Sequence, residues 1–230
     1  MSLEARRRHD RQGRSEAILD AAETVFFTKG FNQTSMDEIA RQADLSRALL
    51  YVYFRDKAAI MRGIMLRAAL AIEHRFEQAL ESSSNGLEQI EQIGYAYHAF
   101  SREDSEYFDV LTELNTFPVP EQAGDDQMQS LGECRTRITA LMVTALRNGI
   151  EDGSICAERV EDPVVTAFML QGALHGVIMQ TRGPLDREAT PGGYEYPDGD
   201  RLVRHVISMM TVAMRSRPRT TGTHTDNQKH

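Results

Sequence analysis

The 230-residue chain is poor in several features that would assign it to a common class. It has only two cysteines, Cys134 and Cys156, without a CxxC spacing. That excludes a disulfide framework or a cysteine-based zinc site and makes a reducing cytoplasm the natural home. No run reaches the 18 apolar residues of a membrane span. The most apolar stretch, VVTAFMLQGALHGVIM, is interrupted by Gln171 and His175. The arginines near the start lack the apolar segment of a secretory signal behind them. HExxH, Walker-type and GxSxG motifs are absent, as is an SxxK with a suitable base. Acidic residues are plentiful, but their spacing is that of solvated helix faces. No catalytic residue, cofactor or metal is therefore expected, and no internal repeat is visible.

What is present is a helical pattern and an uneven charge. Hydrophobic residues make up 41% of the chain, enough for a real core. The net charge of −8 argues against nucleic acid only if averaged. Residues 1–57 carry ten Lys/Arg against nine Asp/Glu, whereas residues 58–230 carry 16 against 25. Ahead of Ser15, Arg6, Arg7, Arg8, Arg11 and Arg14 face only Glu4 and Asp10. Local charge, not the total, decides contact with phosphate. Residues 1–13 read as a basic flexible arm.

Apolar spacing predicts a helix over 15–28, stopped by Lys29-Gly30. Thr34-Ser35-Met36-Asp37 reads as a capping box with Thr34 as the cap, opening a helix of about eight residues. Asp44-Leu45 turns the chain and Ser46 caps the next helix. Asp56 caps a long helix from Lys57 to about Ser82. Five further helices are expected over 86–101, 104–116, 126–150, 163–182 and 200–215. A Gly/Pro-rich loop spans 183–199, and the tail 217–230 reads as disordered. The fold class is all-α.

A short helix, a tight turn and a second helix, with small Ala40 at the crossing and Leu45 and Leu50 as anchors, have helix-turn-helix spacing. This segment resembles the DNA-binding domain of the TetR family of bacterial transcriptional regulators. The resemblance covers residues 14–60, through Ala21-Ala22, Phe26, Gly30, Thr34, Ile39-Ala40, Ala43, Ser46, Leu50-Tyr51, Phe54 and Lys57, with the motif itself at 35–54. It implies phosphate contacts from Thr34, Ser46, Tyr51, Tyr53 and Lys57, and base reading by Arg47, Ala48 and Leu49. Hydroxyls suit phosphate oxygen, and Arg47 can bond a guanine edge. Two positions depart from the family pattern: Asp44 and Ala48 stand where glycine is usual. Asp tolerates the left-handed conformation, and the Ala48 methyl group either meets a thymine methyl or holds the helix further out.

Residues 61–216 are expected to bind an effector and dimerise. Gly172, Ala173 and Gly176 let another helix approach closely, and with Val206 and Met210 they form the expected dimer interface. By resemblance, the effector pocket lies among the middle helices, with Tyr97, Tyr107, Met142, Met169 and His175 as candidates. The implied function is a ligand-responsive dimeric repressor, released from a palindromic operator by a small apolar or amphipathic effector. Its partners are double-stranded operator DNA, a second copy of the chain and that effector; no membrane is involved. The alternative is a helical small-molecule-binding protein with weakened or lost DNA recognition, supported only by Asp44 and Ala48.

Overall fold

The computed structural model describes residues 3–112, 126–182 and 198–216. Their helices are α1 (Leu3–Lys29), α2 (Met36–Gln42), α3 (Arg47–Tyr53), α4 (Lys57–Glu81), α5 (Gly86–Glu103), α6 (Ser105–Thr112), α7 (Asp126–Glu151), α8 (Pro163–Arg182) and α9 (Gly199–Met214). Among the described residues no strand forms; Ile155 and Arg215 make an isolated bridge. The fold is all-α, as the periodicity predicts. The 183–197 part of the predicted loop, the last residues of the 104–116 helix and the tail 217–230 lie outside the described residues.

One expectation fails at the start of the chain. Residues read as a flexible arm are helical from Leu3 and continue α1 without a break. Arginine, glutamine and alanine are good helix formers and no proline intervenes, so the helix propagates beyond its packed part.

The chain forms two compact units. The first comprises Met1–Glu77 and Ala96–Ile138; the second comprises Gln78–Tyr95 and Thr139–His230. The sequence division after residue 60 follows the motif, but the first core extends past it. Val110, Leu131 and Cys134 join Ile18, Phe26, Ile39, Leu50, Ile60 and Ile64 in one buried cluster.

In the first unit, Arg67 of α4 ties α1 in place. Its guanidinium donates to Glu16, to Asp20 at 2.8 Å and to Glu23 at 2.9 Å. Burial opposes the charge on Arg67, but the hydrogen bonds it donates to Glu16, Glu23 and Asp20 outweigh it and hold the pKa above the ordinary arginine value. Tyr107 of α6 completes the cluster by donating its hydroxyl to Glu23 at 3.0 Å. A second cross-link joins α4 and α7: Arg137 donates to both oxygens of buried Glu73, and the Cys134 thiol donates to the same carboxylate at 3.1 Å. The hydrogen bonds from Arg137 lower the Glu73 pKa against the opposing effect of burial.

In the second unit, α5 and α7 cross at two glycines. A Cβ on Gly86 would lie 2.0 Å from the Gly149 backbone nitrogen, so no side chain fits at that crossing. Asp152 accepts from the Gly86 amide at 2.7 Å and fixes the start of α5. Helices α8 and α9 pack against each other. By length and composition α8 could cross a bilayer. Thr166, Ala167, Leu170, Leu174 and Ile178 are instead buried within the unit, while its other side is exposed and apolar.

Candidate nucleic-acid interface

Each end of α2 and α3 is specified by a short-range hydrogen bond. The cap of α2 is Ser35, one residue later than expected. Its hydroxyl accepts from the Glu38 amide at 3.3 Å, and Glu38 accepts from the Ser35 amide at 2.9 Å. The reciprocal pair needs an acceptor three residues after the cap that reaches back to the cap amide; Glu38 is in that place relative to Ser35. Loss of such a cap costs about 1 kcal/mol. Glu38 also binds Lys29. That bond, with the two from Ser35, lowers its pKa to about 2.

The turn after α2 requires a left-handed residue, and Asp44 supplies it with φ of 54°. Aspartate is among the few side chains that occupy this region readily. The Leu45 amide then bonds back to the Ala40 carbonyl at 2.9 Å. The departure from glycine at 44 is thus accommodated, which removes one of the two supports for lost DNA recognition. Ser46 caps α3 by accepting from the Leu49 amide at 3.2 Å, as the sequence predicts. Its hydroxyl proton is left to donate outward, where Ser46 is exposed.

Leu50 and Phe54 anchor α3 in the core. Truncating a buried leucine to alanine costs about 2–5 kcal/mol, so Leu50 fixes the helix's pose. What this leaves outside is a face of Arg47, Ala48, Tyr51 and Val52. These residues form two i,i+4 pairs, Arg47–Tyr51 and Ala48–Val52. The Arg47 guanidinium lies 5.7 Å from the Tyr51 ring centroid and pairs with Asp37 at 3.2 Å. Both partners of that ion pair are largely exposed, so the pair is weak and an incoming phosphate or guanine can displace it. Leu49 and Tyr53 are half-buried, and Tyr53 packs on the core with Leu45. The sequence reading missed Val52, which is 64% exposed. Counting four residues on from Ala48 would have found it.

Two expected phosphate ligands have other work. Thr34 is only 4% exposed, and its hydroxyl donates to the Gly30 carbonyl at 2.9 Å. It therefore closes the α1–α2 turn; a threonine with a hydrogen-bonded, buried hydroxyl offers phosphate nothing. Gly30 itself has φ of 84°, the left-handed value expected after a helix end. The Lys57 ammonium donates to the carbonyls of Phe31 at 2.5 Å and Thr34 at 2.8 Å and sits 4.3 Å from the Phe31 ring centroid. Burial lowers its pKa. Two of its three protons are engaged, which leaves one for an anion. Asp56 caps α4 through the Ala59 amide at 2.7 Å, as predicted.

The residues expected at an effector pocket fall in different units. Tyr97 and Tyr107 belong to the first, and Met142, Met169 and His175 to the second. Tyr97 packs against Phe76 and Phe108, and burial raises its hydroxyl pKa to about 12. The Tyr107 hydroxyl is raised to about 12 by burial and then by Glu23. Met142 is buried in the second core, and burial lowers the pKa of half-buried His175. Met169, expected at the pocket, is instead 61% exposed on the outer side of α8, because Leu170 and Leu174 take the inward positions. With Val165, Phe168, Gly172, Ala173, Gly176 and Met179 it forms an open apolar face. Neither Gly172 nor Gly176 has any neighbour within 4 Å of an added Cβ. On α9, Met209 and Val212 are exposed, whereas Val206 and Met210 are half-buried.

The capped α2, left-handed turn and anchored α3 define a helix-turn-helix DNA-binding protein. The chain belongs to the tetR family of bacterial regulatory proteins: the family pattern matches residues 18–64. It is 32% identical over 147 residues to the HTH-type transcriptional repressor BepR of Brucella suis, covering 62% of this chain and 69% of the relative. The fold is similar to FadR from Bacillus subtilis solved with stearoyl-CoA, with a TM-score of 0.63 at 18% identity, over 87% of this chain and 99% of that one. It is also similar to SmeT in its triclosan complex, with a TM-score of 0.61 at 20% identity, over 90% and 93% of the two chains. The protein is a DNA-binding transcriptional regulator.

Proposed function

We propose that this regulator is a dimeric repressor that leaves a palindromic operator when a small apolar or amphipathic effector binds. The observation that carries the reading is the outer face of α3, which combines a displaceable arginine, a tyrosine hydroxyl and two small apolar side chains on a helix fixed by caps and buried anchors. Reading is assigned to residues 14–60. Arg47, Ala48 and Val52 face base edges; Ser46 and Tyr51 donate to phosphates, with the remaining Lys57 proton behind them. Half-buried Leu49 and Tyr53 contribute at the margin.

Dimerisation is assigned to α8 and α9, through Phe168, Met169, Gly172, Ala173, Gly176, Met209 and Val212, with Val206 and Met210 beneath. A contiguous apolar face with small residues suits a two-fold helix–helix contact. The effector wall is assigned to the first unit, where Tyr97 stands among Phe76, Phe100 and Phe108. An apolar wall with one polar tip fits an amphipathic ligand. The stearoyl-CoA and triclosan found with two proteins of like fold support that chemistry, and the name of BepR supports repression.

Selection of duplexes from a random library tests the reading. It predicts an enriched inverted repeat, bound by a species of about twice 25.9 kDa. Arg47→Ala changes base preference at one position by about 1–3 kcal/mol, whereas Tyr51→Phe weakens all duplexes alike. Failure to enrich any duplex overturns the proposal.

A further inference from the structure

The first turns of α1 bury no side chain among their described residues. Ala5 to Arg7 and His9 to Arg14 are all exposed, and burial in α1 begins in earnest at Ile18. Three arginines of this stretch, Arg7, Arg11 and Arg14, follow at i, i+4 and i+7 and so share one face. Ile18 at i+11 continues the same line and is fully buried. The basic stripe therefore lies on the packed side of α1, extended past the edge of the domain.

This segment conflicts with its own local physics. Like charges at i,i+4 repel, and cations at a helix's first turns oppose its dipole. Asp10 is the only acidic residue between Ala5 and Arg14. Conflicts of this kind, without packing that offsets them, are expected at functional sites. A polyanion lying along the stripe would remove the repulsion and the dipole penalty together.

We propose that Arg7, Arg11 and Arg14 bind the phosphate backbone of duplex DNA outside the segment read by α3, adding a sequence-independent contact to each half-site. The ligand is recognised by arginine side-chain charge, not by the backbone amides of the helix end. The inference rests on the protein being a DNA-binding regulator.

The experiment compares full-length protein with a variant carrying Arg7→Ala, Arg11→Ala and Arg14→Ala, on a duplex selected by the wild type and at a series of salt concentrations. A control variant carries Arg135→Ala, Arg147→Ala and Arg201→Ala, which removes the same charge from exposed positions elsewhere. Three lost phosphate contacts predict a log K against log salt slope shallower by about 2–3, and at least about tenfold weaker binding at low salt. Base preference and melting temperature stay at wild-type values, because these side chains pack on nothing. Ethylation interference should lose sites flanking the α3 half-site. An unchanged slope, or an equal change in the control, overturns the inference. If the wild type selects no duplex, the repressor reading itself has failed, which is a different result.

Discussion

The exposed face of α3 and the exposed face of α8 and α9 are both left bare by well-packed helices, yet their chemistry differs. On α3, a short helix of seven residues presents an arginine and a tyrosine beside Ala48 and Val52. On α8 and α9, longer helices present Val165, Phe168, Met169, Met209 and Val212, without a donor among them. A face that mixes donors with methyl groups is complementary to a groove lined by phosphates and base edges. The face on α8 and α9 is mainly apolar, although Gln180, His205 and Ser208 are also exposed on these helices, and a mainly apolar face matches another apolar surface. Exposure alone therefore names no partner; the hydrogen-bonding inventory of the exposed groups does.

The comparison breaks most severely at α8. Phe168→Glu places a charge in the apolar face without disturbing the buried residues beneath it. The expected result is a monomer by native mass, with operator affinity reduced about 10²-fold or more through loss of bivalency. A dimer of unchanged affinity would show that this face has another purpose.

A smaller effect is expected inside the first unit, where stability and not partner choice is at stake. Arg67→Ala leaves Glu16, Asp20 and Glu23 facing one another without their cation. Arg67 is mostly buried but Asp20 is largely exposed, so the cost should lie at the low end for broken buried pairs, about 3 kcal/mol. Denaturant unfolding would measure it. Phe168→Glu should leave the melting of this unit alone, which separates the two regions.

The smallest effect concerns the α2 cap. Glu38 has its pKa lowered from 4.5 to about 2 by the Lys29 bond and the bonds from Ser35. A carboxylate depressed on folding adds stability that is fully present above pH 4.5. That stability is lost as the pH falls toward 2. Thermal melting between pH 6 and 2 should therefore fall less steeply in Glu38→Gln than in the wild type. Parallel curves would mean that the capping bonds do not favour the charged form.

Much of the interface was legible because its determinants are local. Ser46, Asp44, Gly30 and Asp56 act through bonds or dihedrals within a few residues, and all four behave as their positions predict. The capping box was misplaced by one residue because Thr34 and Ser35 are equally good caps in isolation. Burial of Thr34 against the Gly30 carbonyl decides between them. The length of α1 was missed for a related reason: charge and solvation suggested an arm, while propensity continued the helix.

The sequence by itself determined the all-α class, the helix-turn-helix spacing and the family, since i,i+3 and i,i+4 periodicity and short-range caps are written in neighbouring residues. Tertiary structure alone decided which candidates are available. Lys57 meets the Phe31 and Thr34 carbonyls 26 and 23 residues away, and Arg67 meets its carboxylates 44 to 51 residues away. Met169 points outward because Leu170 and Leu174 point in. Such pairings depend on how helices pack, and no local pattern records which of two polar or apolar neighbours the packing will bury.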